Sequence, residues 1–179
     1  MTASFYRARC AILIAAVASL SCRSAPHILQ LVPACPAPQV STAGWTEVRS
    51  RYGHFSMRLP PGAAEVPVQC IDSFCGLIQV GKWQLSYDSG AFAGSIDTHT
   101  TPPEAEAASA CSEQISGRSV CIRTYRISPV AQHISKDRLG KLAGDAAVPY
   151  AMNLNLGMVA CSPSELREFL AAVRTLKVY

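Results

Sequence analysis

The chain has 179 residues, a formal net charge of +4 and 16% charged residues. Its Lys and Arg residues are scattered, without a run or a basic stripe interleaved with aromatic residues. Because nucleic acids are bound by clustered positive charge, this distribution argues against nucleic acid as a partner. Residues 22–179 are enough for one domain with a sizeable core.

A signal peptide is predicted over residues 1–21. Arg7 and Arg9 precede an uncharged, apolar run from Cys10 to Leu20, and small residues follow the run. This order is typical of a secretory signal. A transmembrane helix needs roughly twenty apolar residues, so the run is too short to span a bilayer. We therefore expect the chain to be exported.

The end of the run resembles the lipobox of bacterial lipoproteins. It reads Ser19-Leu20-Ser21-Cys22, with Ser19 where the family usually has Leu. The resemblance implies that Cys22 becomes the first mature residue and carries lipid, palmitate included, which attaches the protein to a membrane. In the family, the absence of an acidic residue after this cysteine favours the outer over the inner membrane. The domain then faces the periplasm or the exterior of the bacterial cell envelope; the alternative is release into the periplasm.

Residues 22–44 are predicted to form a lipid-anchored, Pro-rich tether. Their four prolines stiffen and extend the chain. Residues 28–32 are apolar and are candidates for docking on the domain or on a partner.

Six cysteines remain in the mature chain besides Cys22, and in an exported protein they predict three disulfides. Fifteen pairings are possible in principle. The pairs proposed from spacing are Cys70–Cys75, Cys111–Cys121 and Cys35–Cys161. A redox or metal site is the alternative, but the spacing is not Cys-x-x-Cys and each histidine is isolated, so we expect no cofactor and no metal.

The domain is predicted to span residues 45–179. Alternating or β-rich segments predict strands near residues 55–59, 66–70, 77–80, 83–87, 119–127, 150–160 and 176–179. The alanines after Pro103 predict a short helix, and residues 132–148 a loop. Ser162-Pro163-Ser164-Glu165 is a capping box that begins an amphipathic helix. The predicted fold is α+β: an antiparallel sheet of about five to seven strands, disulfide-stapled, with one C-terminal amphipathic helix packed on one face.

Two segments resemble the Mog1/PsbP-like proteins: residues 55–62, Phe-Ser-Met-Arg-Leu-Pro-Pro-Gly, and the closing helix and strand from Glu165 to Tyr179. The resemblance implies a sheet-and-helix module that serves as a binding or assembly factor. The six cysteines are not part of that family's pattern.

Signals for catalysis are weak. Asp72-Ser73 and the pair Asp97 and His99 are the best local candidates for a hydrolase, but there is no Gly-x-Ser-x-Gly elbow and no phosphate-binding loop. Three aromatic residues are candidates for a ligand groove: Trp45, Trp83 and Tyr87. The alternative is that they fill the core, as aromatic residues in strands more often do. We expect a protein that is not an enzyme.

The sequence therefore predicts a cell-envelope lipoprotein with a small binding or structural domain, whose partners are the membrane and another envelope protein. One alternative is an accessory subunit of a membrane protein complex, docked through residues 28–32. Another is a secreted hydrolase.

Overall fold

Ten β-strands and one α-helix form the described part of the chain. The structure is a computed structural model that describes residues 34–71, 73–91, 93, 103–132, 134–148 and 153–179. The strands are β1 (Thr46–Arg49), β2 (Phe55–Leu59), β3 (Ala64–Val66), β4 (Phe74–Val80), β5 (Trp83–Ser89), β6 (Ala105–Ile115), β7 (Arg118–Ile127), β8 (Leu142–Val148), β9 (Leu154–Ala160) and β10 (Lys177–Val178), and the helix is α1 (Pro163–Val173).

The strands belong to two sheets. The large sheet has seven strands in the order β3-β4-β5-β9-β8-β7-β6, and every neighbouring pair is antiparallel. The small sheet has three antiparallel strands in the order β1-β2-β10. The two edges of the large sheet are therefore the three-residue strand β3 and the eleven-residue strand β6.

The core lies on one face of the large sheet. Along β5, Trp83, Leu85 and Tyr87 are buried and the residues between them are more exposed, as expected when a strand has one face on the core. The small sheet contributes Phe55 and Met57 to the same core. The rings of Phe55 and Tyr87 meet edge to face at 5.2 Å, which joins the two sheets.

Helix α1 packs against this face of the large sheet. The predicted capping box is confirmed: the Ser162 side chain accepts from the Glu165 backbone N–H, and the Glu165 side chain accepts from the Ser162 backbone. Phe169 is fully buried. It lies over Gly144, where an added Cβ would come within 2.9 Å of the Phe169 ring. The missing side chain at Gly144 thus lets the helix approach the sheet.

The predicted fold class is wrong. The described residues form a mostly antiparallel β-structure of ten strands in two sheets with one helix, in place of an α+β fold with one sheet of five to seven strands. The number was too low because three segments that were not predicted as strands form β1, β6 and β8. The alanine-rich segment predicted as a helix is β6, and the second part of the predicted loop is β8. Both are held by neighbouring strands, which override local propensity.

The one helix found in the described ranges is not long and apolar enough to cross a membrane.

Candidate functional site: the cystine-loop surface

Two disulfides confirm that the domain is stapled. Cys70 is bonded to Cys75, with their Cα atoms 5.9 Å apart, and Cys35 is bonded to Cys111, with a Cα separation of 4.9 Å. Among the described cysteines, the free ones are Cys121, which is half-buried, and Cys161, which is exposed. The expected pairs Cys111–Cys121 and Cys35–Cys161 are therefore wrong.

The register of the β6–β7 hairpin explains the first of these errors. The two-residue turn Ser116–Gly117 places Cys111 opposite Ile122 rather than opposite Cys121. Because successive residues of a strand point to opposite faces, a difference of one residue sends the two thiols to opposite sides of the sheet. Cys111 lies on the core side, where Cys35 reaches it from the segment that borders β6.

The other predicted site residues fall in two groups. Trp83 and Tyr87 are buried, which favours the core interpretation over the ligand groove, and Trp45 is half-buried against the core. The remaining predicted residues lie outside the described part of the chain; they are Cys22, residues 28–32, Asp72, Asp97 and His99. No group of three His, Cys, Asp or Glu side chains that would hold a metal occurs within the described ranges.

Exposed apolar side chains concentrate around the Cys70–Cys75 disulfide. Seven large hydrophobic residues are exposed among those described, and five of them lie either between the end of β3 and the start of β4 or in the segment before β2. These five, here called the cystine-loop surface, are Tyr52, Val66, Val68, Ile71 and Phe74. Ile71 is 100% exposed and Phe74 is 46% exposed.

Local covalent structure keeps these side chains outside the core. Pro67 follows β3 and cannot donate to a ladder, so the edge strand ends there. The disulfide closes a loop of six residues from Cys70 to Cys75, which is too short to fold over its own side chains. Phe74 contacts only the edge of the His54 ring, at 5.8 Å, among the described aromatic pairs. The loop therefore presents Ile71 and Phe74 to the outside.

A narrow slot lies within the cystine-loop surface. It is a cavity of about 90 Å³ whose walls include Tyr52, Val66 and Val68, with Gly76 and Tyr87 at its base. Gly76 is required there, because a Cβ at this position would lie 2.3 Å from the Tyr87 ring. The slot is thus an apolar opening with a tyrosine hydroxyl at its base.

The base of the slot is polar and fully paired. The Tyr87 hydroxyl donates to Glu65 Oε1, and the Arg51 backbone N–H donates to Glu65 Oε2 at 2.9 Å. Burial and the hydrogen bond to the Glu65 carboxylate raise the pKa of Tyr87 to about 12. At neutral pH the phenol is therefore a neutral donor. The described residues that line the slot offer apolar contact around this hydrogen-bonded pair.

A second polar group lies on the outer face, the face of the large sheet opposite α1. Arg123 Nη2 lies 3.0 Å from Asp145 Oδ2, and the two side chains are only 11% and 18% exposed. Burial raises the pKa of Asp145, although the Arg123 cation and a hydrogen bond from Tyr125 oppose that shift. Burial and the charge of Asp145 raise the pKa of Tyr125 in turn. Asp145 is therefore paired twice and is not available as a free carboxylate.

The cystine-loop surface was not predicted from the sequence, although one signal was present. Ile71 and Phe74 are apolar residues inside a loop closed by neighbouring cysteines, and so short a loop has no interior. The exposure of the other three side chains, Tyr52, Val66 and Val68, depends on tertiary structure. Alternation in an edge strand such as β3 does not say which face is covered, and Tyr52 and Val68 lie outside strands.

Comparisons with known proteins were made with family models, curated proteins and solved structures. No protein-family model matches the chain, and no curated protein matches it. The chain is similar to the solution structure of cyanobacterial PsbP (CyanoP) from Synechocystis sp. PCC 6803, with a TM-score of 0.48 and 13% identity over 81% of this chain and 98% of that chain. A likeness at this level of identity and TM-score says nothing about activity or partners.

Proposed function

We propose that the protein is a non-enzymatic binding domain of the bacterial cell envelope that docks an envelope protein through the cystine-loop surface. In this proposal Cys22 carries the lipid, and the tether holds the domain close to its partner. The observation that carries the proposal is the clustering of five of the seven exposed large hydrophobic residues found among those described. Folded proteins rarely expose contiguous apolar surface, and where they do, it marks an interaction site.

The shape of the surface favours a protein partner. Ile71 and Phe74 project from a loop that the disulfide constrains, so little conformational entropy is lost when they are bound. The slot beside them accepts a small apolar side chain from the other molecule, between Tyr52 and Val68. Projections next to a fitted recess are typical of the core of a protein interface, where aromatic residues are enriched. A lipid surface has no side chain to place in the recess.

Site-specific photo-crosslinking tests the proposal in the native host. A photoreactive residue replaces Ile71 in the full chain, and the matched control carries it at Val130, which is 82% exposed outside the cystine-loop surface. We expect a protein adduct of one defined mass from position 71 and not from position 130. Equal adducts from both positions, or adducts to lipid alone, contradict the proposal.

Affinity measured with the captured partner completes the test. We expect Ile71→Asp to weaken binding at least tenfold, about 1.4 kcal/mol, because it places a charge in an apolar contact. The control Val130→Asp adds the same charge elsewhere and leaves binding unchanged. Equal melting temperatures of the two variants exclude unfolding as the cause. Unchanged binding by Ile71→Asp rules out this surface.

The anchor is tested separately. We expect Cys22→Ala to leave the protein without acyl chains and to release it from the membrane fraction, or to leave it unprocessed. Acylation and membrane attachment that persist in this variant contradict lipidation at Cys22.

A further inference from the structure

A cleft lies on the outer face of the large sheet, away from the cystine-loop surface. Its volume is about 560 Å³, within the range of small-molecule sites in proteins. Strands β4, β5 and β9 line its floor together with Asp145 of β8 and Tyr125 of β7, and the connection between β7 and β8 forms a wall. Gly157 lies in the floor, where the absence of a side chain gives the cleft depth.

The cleft carries three cationic side chains on two separate walls. Lys82 comes from the turn between β4 and β5, and Arg138 and Lys141 come from the β7–β8 connection. None of the three takes part in the ion pairs found between described residues, which are Arg123–Asp145, Arg174–Glu113 and Lys177–Glu47.

The β7–β8 connection holds its cations in place through backbone hydrogen bonds. The Ile127 backbone N–H donates to the Lys141 carbonyl at 2.9 Å, and the Gly140 N–H donates to the Ile127 carbonyl at 2.9 Å. Arg126 Nη1 also donates to the Gly140 carbonyl, at 2.8 Å. Because the loop is tied to the end of β7, Arg138 and Lys141 stay at the wall of the cleft.

The carboxylates in the cleft do not cancel this charge. Asp145 is already paired with Arg123 and Tyr125. A hydrogen bond from Ser135 lowers the pKa of Asp137, and its neighbours Lys141 and Arg138 lower it further, so Asp137 offsets one of the two cations on that wall. Lys82 and one of the two cations on the other wall are therefore not offset by a carboxylate among the described residues of the cleft. The Arg123–Asp145 pair carries no net charge.

The neutral donors of the floor are largely engaged. Ser86 Oγ donates to the Gly157 carbonyl at 3.0 Å. Gln84 Nε2 donates to Gln79 Oε1 at 2.8 Å, and Gln79 Nε2 donates to the Gly81 carbonyl at 2.7 Å. A ligand therefore meets cations rather than amide or hydroxyl donors, which selects for negative charge.

We infer that this cleft is a binding site for a phosphate-bearing anion, held between Lys82 on one wall and Arg138 and Lys141 on the other. Lys and Arg side chains are the usual partners of phosphate oxygens, and charges on two walls match an anion with more than one charged group. The phosphate belongs either to a small soluble compound or to the headgroup of an anionic lipid. The inference is independent of the cystine-loop surface.

Amide NMR of the full chain tests the site with two probes. Inorganic diphosphate represents the soluble source, and phosphatidylglycerol vesicles, compared with phosphatidylcholine vesicles, represent the headgroup. We expect saturable shifts or broadening at Lys82, Gly157 and Arg138–Lys141 with one of these probes. The double variant Lys82→Ala with Lys141→Ala should bind at least tenfold more weakly, and the exposed control Arg58→Ala should bind as the wild type does.

Alkylation of Cys161 gives an independent readout, because its exposed thiol borders the cleft. The bound probe should slow alkylation of Cys161 in the wild type and not in the double variant. A response to diphosphate supports a soluble ligand, and a response to phosphatidylglycerol vesicles alone supports the headgroup. No saturable response to either probe, or the same response in the double variant, overturns the inference.

Discussion

Removing the Cys35–Cys111 disulfide should cost the domain more stability than any other change to its cysteines. The bond joins residues 76 positions apart. For a closed loop of that length, chain entropy gives a stabilisation of about 4.5 kcal/mol at 25 °C, against about 2 kcal/mol for the five-residue separation of Cys70 and Cys75. The bond also holds the segment before β1 on the domain, where Ala34 bridges Ser112.

Urea unfolding of three double variants measures this difference. We expect Cys35→Ala with Cys111→Ala to lower the free energy of unfolding by about 3–4.5 kcal/mol, and Cys70→Ala with Cys75→Ala by about 1–2 kcal/mol. The control, Cys121→Ala with Cys161→Ala, removes the two free thiols and should change it by less than about 1 kcal/mol.

Two results would refute the reasoning. One is a loss for the first pair no larger than that for the control pair. The other is a Cys111–Cys121 or Cys35–Cys161 bond in mass spectra of non-reduced peptides. The β6–β7 register forbids the first bond, and the second needs Cys35, which is bonded to Cys111.

Three further predictions concern packing and pH. Gly144→Ala should lower the free energy of unfolding by about 1–3 kcal/mol, because the new Cβ would lie 2.9 Å from Leu166 Cδ1. In a double-mutant cycle with Leu166→Ala, the loss in the double variant should be smaller than the sum of the two single losses. Tyr87 should titrate near pH 12 in absorbance. Because its folded pKa is raised, its contribution to stability is present below pH 10 and is lost as the pH rises towards 12, by about 1–2 kcal/mol after allowance for solvent screening. Tyr87→Phe should not show this loss. Asp145 also has a raised pKa, so its contribution to stability is present below about pH 3.8 and is lost as the pH rises through the folded value. The stability of the wild type relative to Asp145→Asn should therefore fall with rising pH. A constant difference would show that the pKa of Asp145 is the same in the folded and unfolded states.

Periodicity identified the elements whose pattern is visible within a few residues. Trp83, Leu85 and Tyr87 alternate with polar neighbours, and they are buried in β5 as this spacing requires. The signal at Ser162–Glu165 predicted both the start of α1 and its cap, because a capping box satisfies the first backbone N–H groups from within four residues.

The same reasoning failed where neighbours decide the structure. Residues 105–115 have an alanine-rich composition that suits a helix, yet pairing with β7 makes them a strand. Leu142–Val148 contains Gly144 and Asp145, which are typical of loops, and it is a central strand because β7 and β9 flank it and α1 covers Gly144. Local propensity is worth fractions of a kcal/mol per residue, and it is outweighed by pairing with one neighbouring strand in β6 and with two in β8.

What the amino-acid order alone predicted correctly is therefore local: the capped helix and the strongly alternating strands. The fold decided which cysteines meet, which apolar side chains stay outside the core, and that Lys82 and Lys141 line the same cleft. The physical reason is that a register shift of one residue reverses the face of every side chain in a strand, and register is set by the partner strand rather than by the strand's own sequence.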